Sequence, residues 1–273
     1  MIPQMSTPLL GHIAWLTDLS AGAKRCQGPV SALSRLTEAE ITLIHALGSH
    51  PEGRDRAHSD LGKRAQELSE LGLNVRMQIT DSDPVAWGQS FSHPRGMLAI
   101  GRTGMRGLDL VLGSTTAKIL RNAHVPVLIA GPRTHFDGLS SIVCGVDPDH
   151  PPDSVRFAVA LGLAARVPIT FLHAVNVDVV LDEDAMIQAM RDQVRSVLLP
   201  GEGERIQAKF EVGRAAGTAS GICAVAEEHS LVVVGSKGRR GLARVLLGSV
   251  AEAVAKASPT PVIVVPERGS RSA

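Results

Sequence analysis

Short, unbroken apolar runs recur along this chain, and longer stretches with apolar positions three and four apart lie between them. In the second half, residues 142–146, 169–175, 207–212, 231–234 and 261–265 read as strands. The segments "PDSVRFAVALGLAARV", "DAMIQAMRDQVRSVLL", "TASGICAVAEEH" and "SVAEAVAKAS" between them read as helices. Strands that are apolar on both faces belong in a parallel sheet covered by helices. Alternating strand and helix then predicts a doubly wound α/β domain. The last strand follows "SPTP", and proline there favours a strand start or a sheet edge. Edge strands pair across boundaries, so the two halves are expected to pack on each other through their last strands. "DLGKRAQELSELGL" (60–73) predicts an amphipathic helix with Leu61, Ala65, Leu68 and Leu71 turned inward.

The same order of segments occurs twice. "HIAWLTDLS" pairs with "SIVCGVDPD", "ITLIHAL" with "ITFLHAV", "MLAIGRTGMRGL" with "LVVVGSKGRRGL", and "HVPVLIAGP" with "PTPVIVVPE". The shift is 147 − 18 = 129 at the aspartates and stays between 173 − 45 = 128 and 261 − 126 = 135, as small loop insertions would cause. Such self-similarity predicts two copies of one domain, at 1–136 and 137–273, joined by a turn-rich segment near 131–141. Each is expected to be a five-stranded parallel sheet.

Bulk composition narrows the function. The chain has 273 residues, 44% apolar and 20% charged, as in ordinary globular domains. A net charge of +1 argues against bulk nucleic-acid binding. With 3% aromatic residues and no Tyr, there are few platforms on which bases stack. Cys26, Cys144 and Cys223 form neither a CxxC pair nor a disulfide framework, which fits a reducing cytoplasm. No apolar run approaches the roughly 20 residues of a membrane helix, and the N-terminus lacks the basic start of a secretory signal. No membrane partner is expected.

Candidate chemistry concentrates in "GSKGRRGLARVLLGS" (235–249). It follows the apolar "LVVV" and so lies at the carboxyl end of a strand, where ligands of open α/β sheets sit. Gly235 and Gly238 permit tight turning and close backbone approach. Gly248 and Ser249 open the last helix, whose unpaired N–H groups and positive dipole end favour a phosphate. Lys237, Arg239, Arg240 and Arg244 add positive charge. A plainer reading competes: "SVAE" is also a capping box, in which Ser249 and Glu252 satisfy helix-end N–H groups. The stretch is not a Walker A loop, and "GEGERI" fails the GxGxxG pattern.

The 235–249 stretch resembles the universal stress protein signature G-x2-G-x9-G-[ST]. The resemblance extends to the strand running into Asp147, the "LHA" strand end and the closing "TPVIVV". It implies two tandem, Rossmann-like domains of the adenine nucleotide alpha hydrolase-like kind. It also implies ATP or another adenine nucleotide as ligand, with Mg2+ as a companion ion left open. Carried over by position, the adenosine side matches Val146, Asp147 and Ala174. The phosphate loop matches Gly235, Lys237, Gly238, Arg239, Gly248, Ser249 and Val250. Without the resemblance, Asp147 reads as a turn aspartate in "DPDHPPD".

The first copy has counterparts at Asp18, Ala46, Gly101, Gly104, Gly113 and Ser114. Eight residues separate Gly104 from Gly113, where nine separate Gly238 from Gly248. A missing residue is expected to displace the donors by about one residue's reach, roughly 3–4 Å. Arg102 stands where the second copy has a small residue, and either reaches a phosphate or blocks it. The second copy is therefore expected to carry the main site.

His45 and His173 recur in apolar runs and read as structural, hydrogen-bonded histidines. The ten histidines show no metal-ligand spacing, and Asp147, Asp149 and Asp153 read as an acidic loop that a nucleotide's Mg2+ could meet. No general base or nucleophile stands out. The expectation is a cytoplasmic nucleotide-binding sensor or regulator of the stress response, rather than an enzyme. Two alternatives stay open: a nucleotide-free scaffold of the same fold, and a weak ATPase. Homodimerisation stays open too.

Overall fold

The computed structural model describes residues 9–48, 51–102, 112–131, 136, 138–149, 153–236 and 247–267. The first-half strands are β1 (His12–Leu16), β2 (Glu40–Ala46), β3 (Val75–Thr80), β4 (Gly96–Gly101) and β5 (Val127–Ala130). The second-half strands are β6 (Ser141–Gly145), β7 (Ile169–Asn176), β8 (Ala208–Ala215), β9 (Ser230–Gly235) and β10 (Val262–Val265). The helices between them are α1 (Ala21–Lys24), α2 (Gln27–Thr37), α3 (Arg54–Glu70), α4 (Pro84–Ser90), α5 (Ser114–Asn122), α6 (Asp153–Ala165), α7 (Glu183–Val197), α8 (Thr218–Val225) and α9 (Ser249–Ala257).

All ten strands form one sheet in the order β3-β2-β1-β4-β5-β10-β9-β6-β7-β8. Pairing within each half is parallel. The halves meet antiparallel, with Val262, Ile263 and Val264 opposite Ile129, Leu128 and Val127. The sheet is therefore mixed, and each half is a doubly wound α/β arrangement.

The strand period of two sorts the core into two faces. In β1, Ile13 and Trp15 point to one face, which α2, α3, α6 and α7 cover with Leu33, Leu61, Leu161 and Met190. Ala14 and Leu16 point to the other, covered by α5, α8 and α9 through Ile119, Ile222 and Val254. Each fully buried Leu, Ile or Val contributes about 1.5–3 kcal/mol of transfer free energy before entropy is counted. Burial on both faces explains why the sequence shows unbroken apolar runs rather than alternation.

One helix end departs from expectation. Leu61 and Leu68 are buried, but Leu71 is 50% exposed. The helix stops at Glu70 because Gly72 turns left-handed at φ +79°. The Gly72 N–H then donates to Ser69 O and the Leu73 N–H to Leu68 O, a glycine-terminated cap. Leu73 folds back into the core in place of Leu71.

Candidate functional site

Neighbouring strands at the carboxyl ends of each half bring the candidate residues together. β1 lies between β2 and β4, so Asp18 beyond β1, Ala46 ending β2 and Gly101 ending β4 meet at one edge. β6 lies between β7 and β9, which does the same for Asp147, Ala174 and Gly235. Each cluster sits where the strand order reverses, the crevice that doubly wound sheets use for ligands. Gly104, Lys237, Gly238 and Arg239 lie outside the described residues, as do Arg240 and Arg244.

Both candidate loops are closed by the same backbone bond. The Gly248 N–H donates to Ser236 O at 2.7 Å, and the Gly113 N–H donates to Arg102 O at 2.8 Å. The two glycines have nearly equal dihedrals, φ −59°, ψ 141° and φ −57°, ψ 146°. The helix start behind the shorter first loop is therefore closed in the same way, while the loop donors to which the expected shift applies lie outside the described residues.

The capping-box reading of "SVAE" is corrected. Gly248 is the N-cap, no side chain among the described residues caps α9, and Ser249 is its exposed first residue. Glu252 instead accepts from Lys256 Nζ at 2.7 Å, one turn along. An extended glycine at the cap carries no side-chain acceptor, so the first amides of α9 are free of a capping side chain. Ser114 begins α5 in the same way behind Gly113. Val250 follows Ser249, half-buried against the core.

The strand-end glycines make room for the chain itself. A Cβ on Gly101 would stand 3.2 Å from Ala23 Cα, and one on Gly235 would run into the Glu267 carboxylate and approach Ser154 Oγ at 3.4 Å. Arg102 neither reaches toward the crevice nor blocks it. Its side chain is 2% exposed and donates to Ser258 O, at the C-cap of α9 in the other half. Ser236, its counterpart, accepts from the Glu267 N–H at 3.2 Å.

The aspartates form equal turns. Asp18 Oδ1 accepts from the Ser20 N–H at 3.0 Å, and Asp147 Oδ1 from the Asp149 N–H at 3.3 Å. The histidines fasten these turns to the next strand. His45 Nδ1 donates to Thr17 O and His173 Nδ1 to Val146 O, both at 2.9 Å. Carbonyl oxygens only accept, so each Nδ1 carries its proton. The recurring histidines are structural, as the sequence suggests.

Sequence reasoning missed Gln193. From α7 its Nε2 donates to Asp147 O at 3.0 Å, holding the aspartate's backbone. Its counterpart is Arg64 on α3 (193 − 64 = 129, the shift that relates the aspartates). Arg64 lies 5.6 Å from the Trp15 ring, near enough to Asp18 to feel its charge, and burial lowers its pKa. The repeat offset was the signal that could have found both.

Burial pushes the Cys26 and Cys144 thiols up to about 12, so both stay protonated near neutral pH and are poor nucleophiles. Among the described residues no three His, Cys, Asp or Glu side chains converge as a metal cluster, and no helix is long and apolar enough to cross a membrane. A cleft of about 330 Å³ beside Gly162, Arg166 and Arg205 lies at the opposite end of the sheet, at the start of β7. It touches none of the residues above. The loops that would wall the candidate crevices fall largely outside the described residues.

A family model described as "Universal stress protein family" matches residues 96–131 and 139–266. The chain belongs to this family. A universal stress protein of Mycobacterium tuberculosis (strain H37Rv) is 36% identical over 266 residues, covering 86% of this chain and 89% of that protein. A universal stress protein of Mycolicibacterium smegmatis is 31% identical over 264 residues, covering 85% and 89%. The crystal structure of a universal stress protein from Archaeoglobus fulgidus superposes with a TM-score of 0.74 at 19% identity, over 93% of this chain and 98% of that one. At that identity the likeness speaks for the universal stress protein fold alone.

Proposed function

We propose that this universal stress protein binds ATP or another adenine nucleotide and acts as a cytoplasmic sensor or regulator. In this reading the halves are tandem domains, 1–136 and 137–273, and the second carries the main site. The observation that carries it is the start of α9. Gly248 closes the loop onto Ser236, no side chain among the described residues caps the helix, and Ser249 stands exposed beside the β6–β9 crevice. Uncapped amides and the helix dipole supply phosphate donors there. Val146, Asp147 and Ala174 border the adenosine side, with Gln193 holding Asp147 in place. Asp147 would accept ribose hydroxyl hydrogens. Gly235, Lys237, Gly238 and Arg239 belong to the phosphate loop of this proposal, with Mg2+ arriving on the nucleotide. The first copy offers Asp18, Ala46, Gly101, Gly104, Gly113 and Ser114 as a secondary site. No residue is assigned a catalytic role.

Asp147→Ala tests the adenosine side. Loss of a charged hydrogen bond, about 1.5–3 kcal/mol, should weaken ATP binding about ten- to a hundred-fold in calorimetry. Unchanged affinity would remove Asp147 from the site. One observation favours a second reading, a nucleotide-free scaffold: the clearance at Gly101 and Gly235 already serves contacts within the chain. Native mass spectrometry decides between the two. A scaffold carries no adenine nucleotide as purified and shows no thermal shift on adding one.

A further inference from the structure

Among the described residues, the most buried charged side chain spans the seam between the two halves. Arg102 follows β4, and its own backbone is held on both sides: the N–H donates to Ala130 O at 2.9 Å, and the carbonyl accepts from Gly113. Its side chain crosses the β5–β10 seam. Nη2 donates at 2.5 Å to the carbonyl of Ser258, a residue 156 positions further along the chain. Gly131 leaves the space for this path, since a Cβ there would stand 2.7 Å from Nη1 and 2.8 Å from Nε.

Ser258 is the C-cap of α9, and its carbonyl is among those a helix end leaves without an intrahelical partner. A guanidinium there both satisfies the acceptor and complements the negative end of the helix dipole. The opposite end of the same helix, nine residues long, begins at Ser249. The link is one-sided. Ser236, the counterpart of Arg102, is too short to span the seam and is engaged with Glu267.

We propose that Arg102, a residue of the first half, is a positioning residue for the second half's phosphate-binding helix start. It ties the carbonyl that closes the first loop to the C-terminal end of α9. A change in the first loop thereby reaches the second site through one rigid helix. The proposal rests on the nucleotide reading for its functional sense, but the tie itself is testable without ligand.

The test uses the full chain, with Arg102→Met to remove the charge at similar length and Arg102→Lys to keep it. Arg156→Met, a substitution on α6, serves as a destabilised control outside this path. Hydrogen exchange of the α9 amides from Glu252 to Ser258 is measured without ligand, and ATP binding is then measured by calorimetry. Arg102→Met should speed exchange about ten- to a hundred-fold, the effect of losing a hydrogen bond to a charged group. It should weaken ATP binding about five-fold or more, within the usual range of coupling between sites. Arg102→Lys should recover part of both, and Arg156→Met should leave ATP affinity unchanged and speed α9 exchange no more than that of β9, the mark of global destabilisation alone. Exchange in Arg102→Met within about two-fold of the wild type would overturn the proposal. So would equal loss of ATP affinity in the Arg156→Met control. If α9 responds but the wild type binds no ATP, the tie stands and the nucleotide reading alone falls. Should Arg102→Met fail to fold, the Lys variant against wild type carries the same comparison.

Discussion

Replacing Ser249 with Asp separates phosphate binding from helix stability, because the two respond with opposite sign. Ser249 is the exposed first residue of α9, behind an N-cap with no capping side chain. A carboxylate at a helix N-terminus stabilises it by about 0.3–1 kcal/mol. The same carboxylate would stand beside a bound phosphate. Two unit charges about 4 Å apart repel by about 4 kcal/mol at an effective dielectric near 20. Exposure and salt screening reduce this to about 1.5–3 kcal/mol, or ten- to a hundred-fold in affinity. Thermal melts of nucleotide-free Ser249→Asp should therefore match or slightly exceed the wild type, while calorimetry shows ATP affinity falling at least ten-fold. A variant that keeps its affinity refutes the placement of phosphate at this helix start. A variant that loses stability and affinity together refutes the reasoning that Ser249 is free of structural duty.

Other parts of the fold make further predictions. Arg156 donates to Glu202 Oε1 at 2.8 Å and to Val197 O at 3.2 Å, and this hydrogen bond is the main cause of the lowered Glu202 pKa. Arg156→Met should cost about 1–2 kcal/mol after allowance for partial exposure, seen as a lower urea midpoint at pH 7. The stability that Glu202 contributes is present above 4.5 and is lost as pH falls through its lower folded value, so the gap between wild type and variant should close in acid. His12 packs 5.4 Å from His93 and 5.7 Å from Phe91, and burial first, then His93, lowers its pKa below 6.5. Glu40 opposes that shift and Arg76 adds to it. The unfolded chain therefore takes up this proton first, and stability should fall as pH drops below 6.5. Chemical denaturation from pH 8 to 5 should show a shallower fall in His12→Gln; an equal slope would remove His12 as the cause. Gly131→Ala should displace the Arg102 guanidinium and cost about 1–3 kcal/mol. Combined with Arg102→Met it should cost less than the sum of the two, because both break one contact.

The inner strands were legible because they are buried on both faces, which leaves unbroken apolar runs such as the one ending at Val234, whereas the outer strands β3 and β8 are exposed or half-buried and carry mixed sequences. The aspartate turns and the histidines were legible because the repeat presents each twice. What stayed hidden depends on contacts distant in sequence. Arg102 looks like a loop cation until the antiparallel seam brings Ser258 within its reach. Leu71 obeys the helical period, but Gly72 ends the helix before that period can bury it. Ser249 fits a capping box by type and spacing, yet the backbone bond from Gly248 to Ser236 assigns the cap to the glycine. Gln193 lies in a helix with no motif of its own; the repeat offset pairs it with Arg64, and its hydrogen bond to the carbonyl of Asp147 gives its role.

The central claim is a nucleotide site in the second half, and one titration tests it most directly. ATP is added to the nucleotide-free full chain carrying Ser114→Asp, which weakens binding at the first loop. Saturable heat at one ATP per chain is expected, with the affinity falling at least ten-fold when Ser249→Asp is added. No heat, or an affinity that Ser249→Asp leaves unchanged, would contradict a nucleotide site in the second half.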